Sequence, residues 1–136
     1  ALLTTIDQKM KKLIFTNKAP AAIGPYSQAV QWGDVVFISG QIPLIPETGT
    51  LNNATFEDET NQVLDNLEAI CKEAGGNLDN ILKLTIYLTD LSRFDVVNTI
   101  MASRFSEPFP ARATIEISKL PKEVNIEIDA ILSIPV

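Results

Sequence analysis

The spacing of apolar and polar residues changes period several times along the chain, and each change marks an element. Lys12-Leu13-Ile14-Phe15-Thr16 is a short β-rich run closed by Asn17-Lys18-Ala19-Pro20. Ser27 to Trp32 and Val35 to Ser39 read as a hairpin joined by Gly33-Asp34. Gly40-Gln41-Ile42-Pro43 ends that hairpin, and its glycine marks either a close approach of backbone or ligand or a plain strand end. From Thr55 to Ala74 the period becomes helical, with Val63, Leu67, Ile70, Cys71 and Ala74 on one stripe. Thr55 and Asp58 have capping spacing, and Gly75-Gly76 supplies the stop.

Ile81 to Leu88 reads as a strand with its even positions apolar. A second helix follows, roughly Arg93 to Phe105, with Ser92 and Asp95 spaced as a capping pair and a buried stripe of Phe94, Val97, Met101 and Phe105. Asn98 lies beside that stripe, as a surface amide or at a cleft edge. Ala113 to Ser118 and Asn125 to Ser133 close the chain as two strands. The order ββαβαββ predicts an α+β domain, a mixed sheet with two helices on one face. Residues 12–136 form that domain, and residues 1–11 read as an N-terminal extension in which Met10 is a candidate start. The extension matches neither a secretory signal nor a strong transit peptide.

In the last strand Ile126, Ile128, Ala130 and Leu132 share one face, and Glu127, Asp129 and Ile131 share the other. The pattern assigns Thr114 and Glu116 to the face that carries Glu127. Because this second face is half apolar, it is expected to be covered by a neighbouring copy, leaving a carboxylate there partly desolvated.

Composition narrows the chemistry. The formal charge is −6, which argues against binding a phosphate backbone, and no apolar run approaches the roughly 18 residues of a membrane span. Histidine is absent, which removes the commonest metal ligand, so catalysis would run on carboxylates, arginine, hydroxyls, backbone groups and water. The single cysteine, Cys71, falls on the apolar stripe of a helix and suits a reducing compartment, the cytoplasm or an organelle matrix. The candidate with the most specific setting is Arg112. Pro108 and Pro110 stiffen its approach, so its guanidinium could grip a carboxylate through two parallel hydrogen bonds instead of forming a loose surface ion pair.

Five segments, in order, carry a resemblance over about Lys12 to Leu132. They are Ile23-Gly24-Pro25-Tyr26-Ser27-Gln28-Ala29-Val30, Ile38-Ser39-Gly40-Gln41-Ile42-Pro43, Thr89-Asp90-Leu91 with Val97-Asn98, Phe109-Pro110-Ala111-Arg112, and Leu120-Pro121-Lys122 with Ile126-Glu127-Ile128. Together they resemble the reactive intermediate deaminase family, RidA or YjgF. The resemblance implies a chorismate-mutase-like fold and a homotrimer with a central barrel and clefts between subunits. It also implies cofactor-free hydrolysis of enamine and imine acids, 2-iminopropanoate and 2-iminobutanoate among them, to 2-keto acids and ammonia. Arg112 would bind the substrate carboxylate and Glu127 would activate water. Tyr26 would close the pocket, Ser39 and Gly40 would line it, and Asn98 would stand at its edge. Thr114 occupies a position where many members have cysteine, in a role carried largely by the backbone. The alternatives are a non-catalytic module that binds small carboxylates and, less favoured by an acidic chain without histidine, an endoribonuclease.

Overall fold

The computed structural model describes residues 10–135, so residues 1–9 of the expected extension lie outside the described residues. One sheet contains β1 (Lys12–Ile14), β2 (Ala29–Trp32), β3 (Val35–Gln41), β4 (Ile81–Leu88), β5 (Ala111–Glu116) and β6 (Ile126–Ser133), in the order β1-β2-β3-β6-β4-β5. Two helices, α1 (Phe56–Ala74) and α2 (Phe94–Arg104), complete the fold. The expected ββαβαββ order is that of β2 through β6, with β1 added as a short edge strand. Among the described residues only β4 and β5 pair in parallel, and α2 makes the crossover between them.

Local chemistry explains both helices. The Thr55 side chain accepts from the Asp58 amide at 3.0 Å to start α1, and Gly75 ends it at φ 100°, a conformation that favours glycine. The expected Ser92–Asp95 cap is not formed. Asp90 instead accepts from the Ser92 amide at 2.9 Å and from its hydroxyl at 2.6 Å, folding Leu91–Arg93 into a tight turn ahead of α2. These two hydrogen bonds, the hydroxyl's first, hold the Asp90 carboxyl below its usual range.

Buried rows run across the sheet under the helices. One reads Ile14, Ala29, Ile38, Ala130 and Leu84 and ends at Arg112 on the edge strand. Val63 and Leu67 of α1 and Val97 and Met101 of α2 close over the same core. In β4 a register shift against β6 between Ile81 and Lys83 turns Ile81 inward and leaves Leu82 52% exposed, which breaks the simple even-position pattern.

The face assignment for β5 needs correcting. Parallel pairing sets Arg112 beside Leu84 and Thr114 beside Ile86, both buried under the helices, while Ile115 aligns with Tyr87 and Glu127 on the open face. Arg112, Thr114 and Glu116 therefore face the helices and Glu127 faces away, because the register with β4 decides which parity points inward. The open face also carries the row Leu13, Val30, Phe37 and Ile131, with Leu13 and Phe37 well exposed.

Candidate active site

The site residues fall into two groups, one on each side of the sheet. The first is centred on Arg112. Its Nη1 donates to Asn98 Oδ1 at 2.7 Å and lies 3.5 Å from Met101 Sδ, and its guanidinium carbon stands 4.9 Å from the centre of the Phe94 ring. Phe94, Asn98 and Met101 are spaced i, i+4, i+7, so one stripe of α2 addresses one guanidinium. The helix itself is fastened at both ends. Glu116 Oε1 accepts from the Leu91 amide at 2.9 Å and Arg93 lies 4.8 Å over the Phe56 ring, while Arg104 bridges to Asp65 at 2.8 Å. A cavity of about 250 Å³ opens at this group, lined by Asn98, Met101, Ala102, Phe109, Pro110 and Arg112.

The second group surrounds Glu127. A cavity of about 460 Å³ holds Glu127, Tyr26, Ser39 and Gly40, with apolar walls from Pro20, Ala21, Ile23, Ile42, Leu44 and Pro121. Ser39 and Gly40 lie where the β3–β6 register shifts between Ile38 and Gln41, so the strand bulges beside the carboxylate. Gly40 leaves room there: a Cβ would stand 2.8 Å from the carboxyl carbon of Glu127, so the carboxyl would have to shift. The Ser39 hydroxyl donates to the Ser27 carbonyl at 2.6 Å, which spends its proton on holding the loop that carries Tyr26. Gln28, almost fully buried, performs a similar task for the opposite wall, accepting from the Thr16 amide at 2.8 Å and donating to the Pro20 carbonyl at 2.8 Å.

Burial pushes the Glu127 carboxyl above its usual range, and the negative charge of Asp129 adds to the effect. Asp129 accepts a 2.9 Å hydrogen bond from the Tyr87 hydroxyl, which raises the tyrosine in turn. Cys71 lies outside both groups, buried in α1 with its thiol pushed up to about 12, and is therefore a protonated core residue. Among the described residues no three carboxylate, thiol or imidazole groups cluster as metal ligands.

One chain thus brings Tyr26, Ser39, Gly40 and Glu127 together, and separately Arg112 and Asn98, but does not join the two groups. Thr114 lines neither cavity. Its buried hydroxyl oxygen has no hydrogen-bond partner among the described residues. The sequence reading missed Phe94 and Met101 as neighbours of Arg112, having placed both in the core stripe, and it missed Gln28 as the anchor of the wall. The i, i+4, i+7 spacing through Asn98 was the available signal for the first two. A buried amide leaves no such trace.

An α+β domain with a cradled guanidinium on one face and a half-buried acid on the other is the class that fold and site define. The family described as Endoribonuclease L-PSP matches residues 16–134. Reactive Intermediate Deaminase A, chloroplastic, of Arabidopsis thaliana is 45% identical over 134 residues, covering 98% of this chain and 72% of that protein. The crystal structure of RidA from the Antarctic bacterium Psychrobacter sp. PAMC 21119 superposes with a TM-score of 0.87 at 47% identity, covering 90% of this chain and 99% of that one. Escherichia coli TdcF, crystallised with bound serine, superposes with a TM-score of 0.84 at 38% identity, covering 92% and 100%. The chain belongs to this family, the reactive intermediate deaminase or RidA/YjgF family.

Proposed function

We propose that this protein is a hydrolytic deaminase of reactive 2-imino and enamine acids, working as a homotrimer in a reducing compartment such as the cytoplasm. The observation that carries the reading is the division of the site. A guanidinium with a free edge and an acid with an elevated pKa are the two groups this reaction needs, and each chain presents them on opposite faces. They complete one cleft when Arg112 of one copy meets Glu127 of the next, and the exposed apolar row on the open face suits burial between copies. Relatives named as reactive intermediate deaminases support the chemistry, and the serine held by TdcF supports a small amino-acid-like ligand.

The 2-imino acid, to which an enamine acid converts by gaining a proton at C3 and losing one from nitrogen, is already electrophilic at C2, so the protein has only to orient it and manage protons. Arg112 holds the carboxylate. Glu127 takes a proton from a water molecule as the water oxygen bonds to C2 and delivers it to nitrogen, giving a carbinolamine, then carries the carbinolamine hydroxyl's proton to the amine nitrogen. The C2–N bond breaks, ammonia leaves, and the water oxygen remains as the keto oxygen. Tyr26 covers the cleft, Ser39 and Gly40 shape it, Asn98 holds Arg112, and Thr114, two residues along β5 from Arg112, would contribute through its backbone.

The test is whether the protein speeds appearance of 2-ketobutanoate from a threonine dehydratase reaction. Acceleration that Arg112→Ala removes supports the reading. Binding of 2-ketobutanoate without acceleration would instead identify a carboxylate-binding module, and cleavage of RNA would identify the nuclease that the family description names.

A further inference from the structure

The side chains around Arg112 carry a role that neither the site assignment nor the family membership gives them. Resting on the deaminase reading, we infer that Phe94 and Met101 are positioning residues which, with Asn98, set the guanidinium so that only its Nε–Nη2 edge meets the ligand carboxylate. Three contacts bear on one planar group. The Phe94 ring lies against its face at 4.9 Å, Asn98 Oδ1 takes Nη1 at 2.7 Å, and Met101 Sδ accepts from the same nitrogen at 3.5 Å. Among the described residues nothing hydrogen-bonds Nε or Nη2, and these two donors form the parallel pair that matches a carboxylate.

A phenylalanine serving only the core would be buried. Phe94 is 36% exposed, while its stripe neighbours Val97 and Met101 are 1% and 6% exposed. Its ring is thus placed at the surface, under the charge. The sulfur of Met101 adds a weak, polarisable acceptor that a leucine of similar volume lacks. The fastening of the first turn of α2 by Asp90, Glu116 and the Arg93–Phe56 contact fixes the ring that fixes the arginine.

The test compares wild type with Phe94→Leu, Phe94→Tyr and Met101→Leu by two readouts. ¹⁵N relaxation of the Arg112 Nε reports order directly and does not depend on the reaction. It should show a rigid group in wild type and Phe94→Tyr, with an order parameter near about 0.85, falling below about 0.6 in Phe94→Leu. Calorimetry with 2-ketobutanoate and steady-state rates should show Kd and KM rising on the order of tenfold in Phe94→Leu, with kcat within about twofold and Phe94→Tyr restoring the wild-type values. Met101→Leu should give a smaller change in the same direction. In an Arg112→Lys background, Phe94→Leu should add little, because the planar group is gone. An Arg112 Nε equally ordered in Phe94→Leu and wild type, or a loss that Phe94→Tyr does not rescue, would overturn the inference. A wild-type protein that neither binds 2-ketobutanoate nor accelerates its formation would sink the deaminase reading, and the relaxation data would still decide the cradle.

Discussion

Arg112 is gripped by one stripe of α2, whereas Glu127 stands in a gap left by Gly40 with no hydrogen bond among the described residues moving its pKa. On the proposed reaction, the contrast follows from what each group would have to do. A guanidinium stays charged at any working pH, so fixing it costs no chemistry and saves side-chain entropy when an anion arrives. A carboxyl that takes and returns a proton would be pulled down by donors, whereas burial without donors raises it. The arginine is held by contacts, and the acid is half-buried without them.

Variants can break this contrast from either side, and the acid should fail most severely. Glu127→Gln removes the proton carrier and should lower turnover on the order of 10² to 10⁴-fold while 2-ketobutanoate affinity stays within a few fold. Equal loss of both in paired rate and calorimetric measurements would mean that Glu127 belongs to binding. Arg112→Ala should cost roughly a hundredfold to a thousandfold in kcat/KM, with most of the loss in affinity. Gly40→Ala adds a methyl where the Glu127 carboxyl stands. A displacement of about 1 Å there should cost up to about a hundredfold in kcat, with carboxylate affinity retained.

Smaller effects lie in stability. The Glu127 carboxyl is raised in the folded chain, so the folded state holds its proton more tightly than the unfolded one. Its contribution is therefore most favourable at pH below the ordinary glutamate value of about 4.3 and turns unfavourable as pH rises through the folded value. Glu127→Gln should accordingly melt at a higher temperature than wild type at pH 7 to 8, and the difference should vanish near pH 4. A difference that grows toward acid would reverse the sign of the shift. Thr114→Val removes a buried hydroxyl without a partner and should raise stability by about 1 kcal/mol, a few degrees in Tm.

The elements were legible wherever the pattern was local. The cap at Thr55, the stop at Gly75 and the alternation in β6 are each decided within a few residues, and each appears as expected. What was hidden was register. Whether the odd or even residues of an edge strand point inward depends on a partner strand far away in sequence. The parallel alignment of β5 with β4 accordingly moved Thr114 and Glu116 to the face opposite Glu127. The cap of α2 misled for a different reason: Asp90 lies two residues before Ser92 and takes both its amide and its hydroxyl proton, folding Leu91–Arg93 into a tight turn so that α2 begins at Phe94, past the point where Ser92 would cap it. Arg112 and Glu127 stood out as chemistry in the sequence, but the Phe94 ring beneath one and the bulge beside the other exist only after folding.

If Arg112 and Glu127 act in one cleft drawn from two copies, each inactive variant keeps the half the other lacks. Arg112→Ala and Glu127→Gln chains, unfolded together in equal amounts and refolded, should recover imine hydrolysis at about one quarter of the wild-type rate per chain, since random assembly pairs intact halves at about that frequency. A mixture as inactive as its two components, with mixed assemblies shown to form, would contradict a site shared between copies.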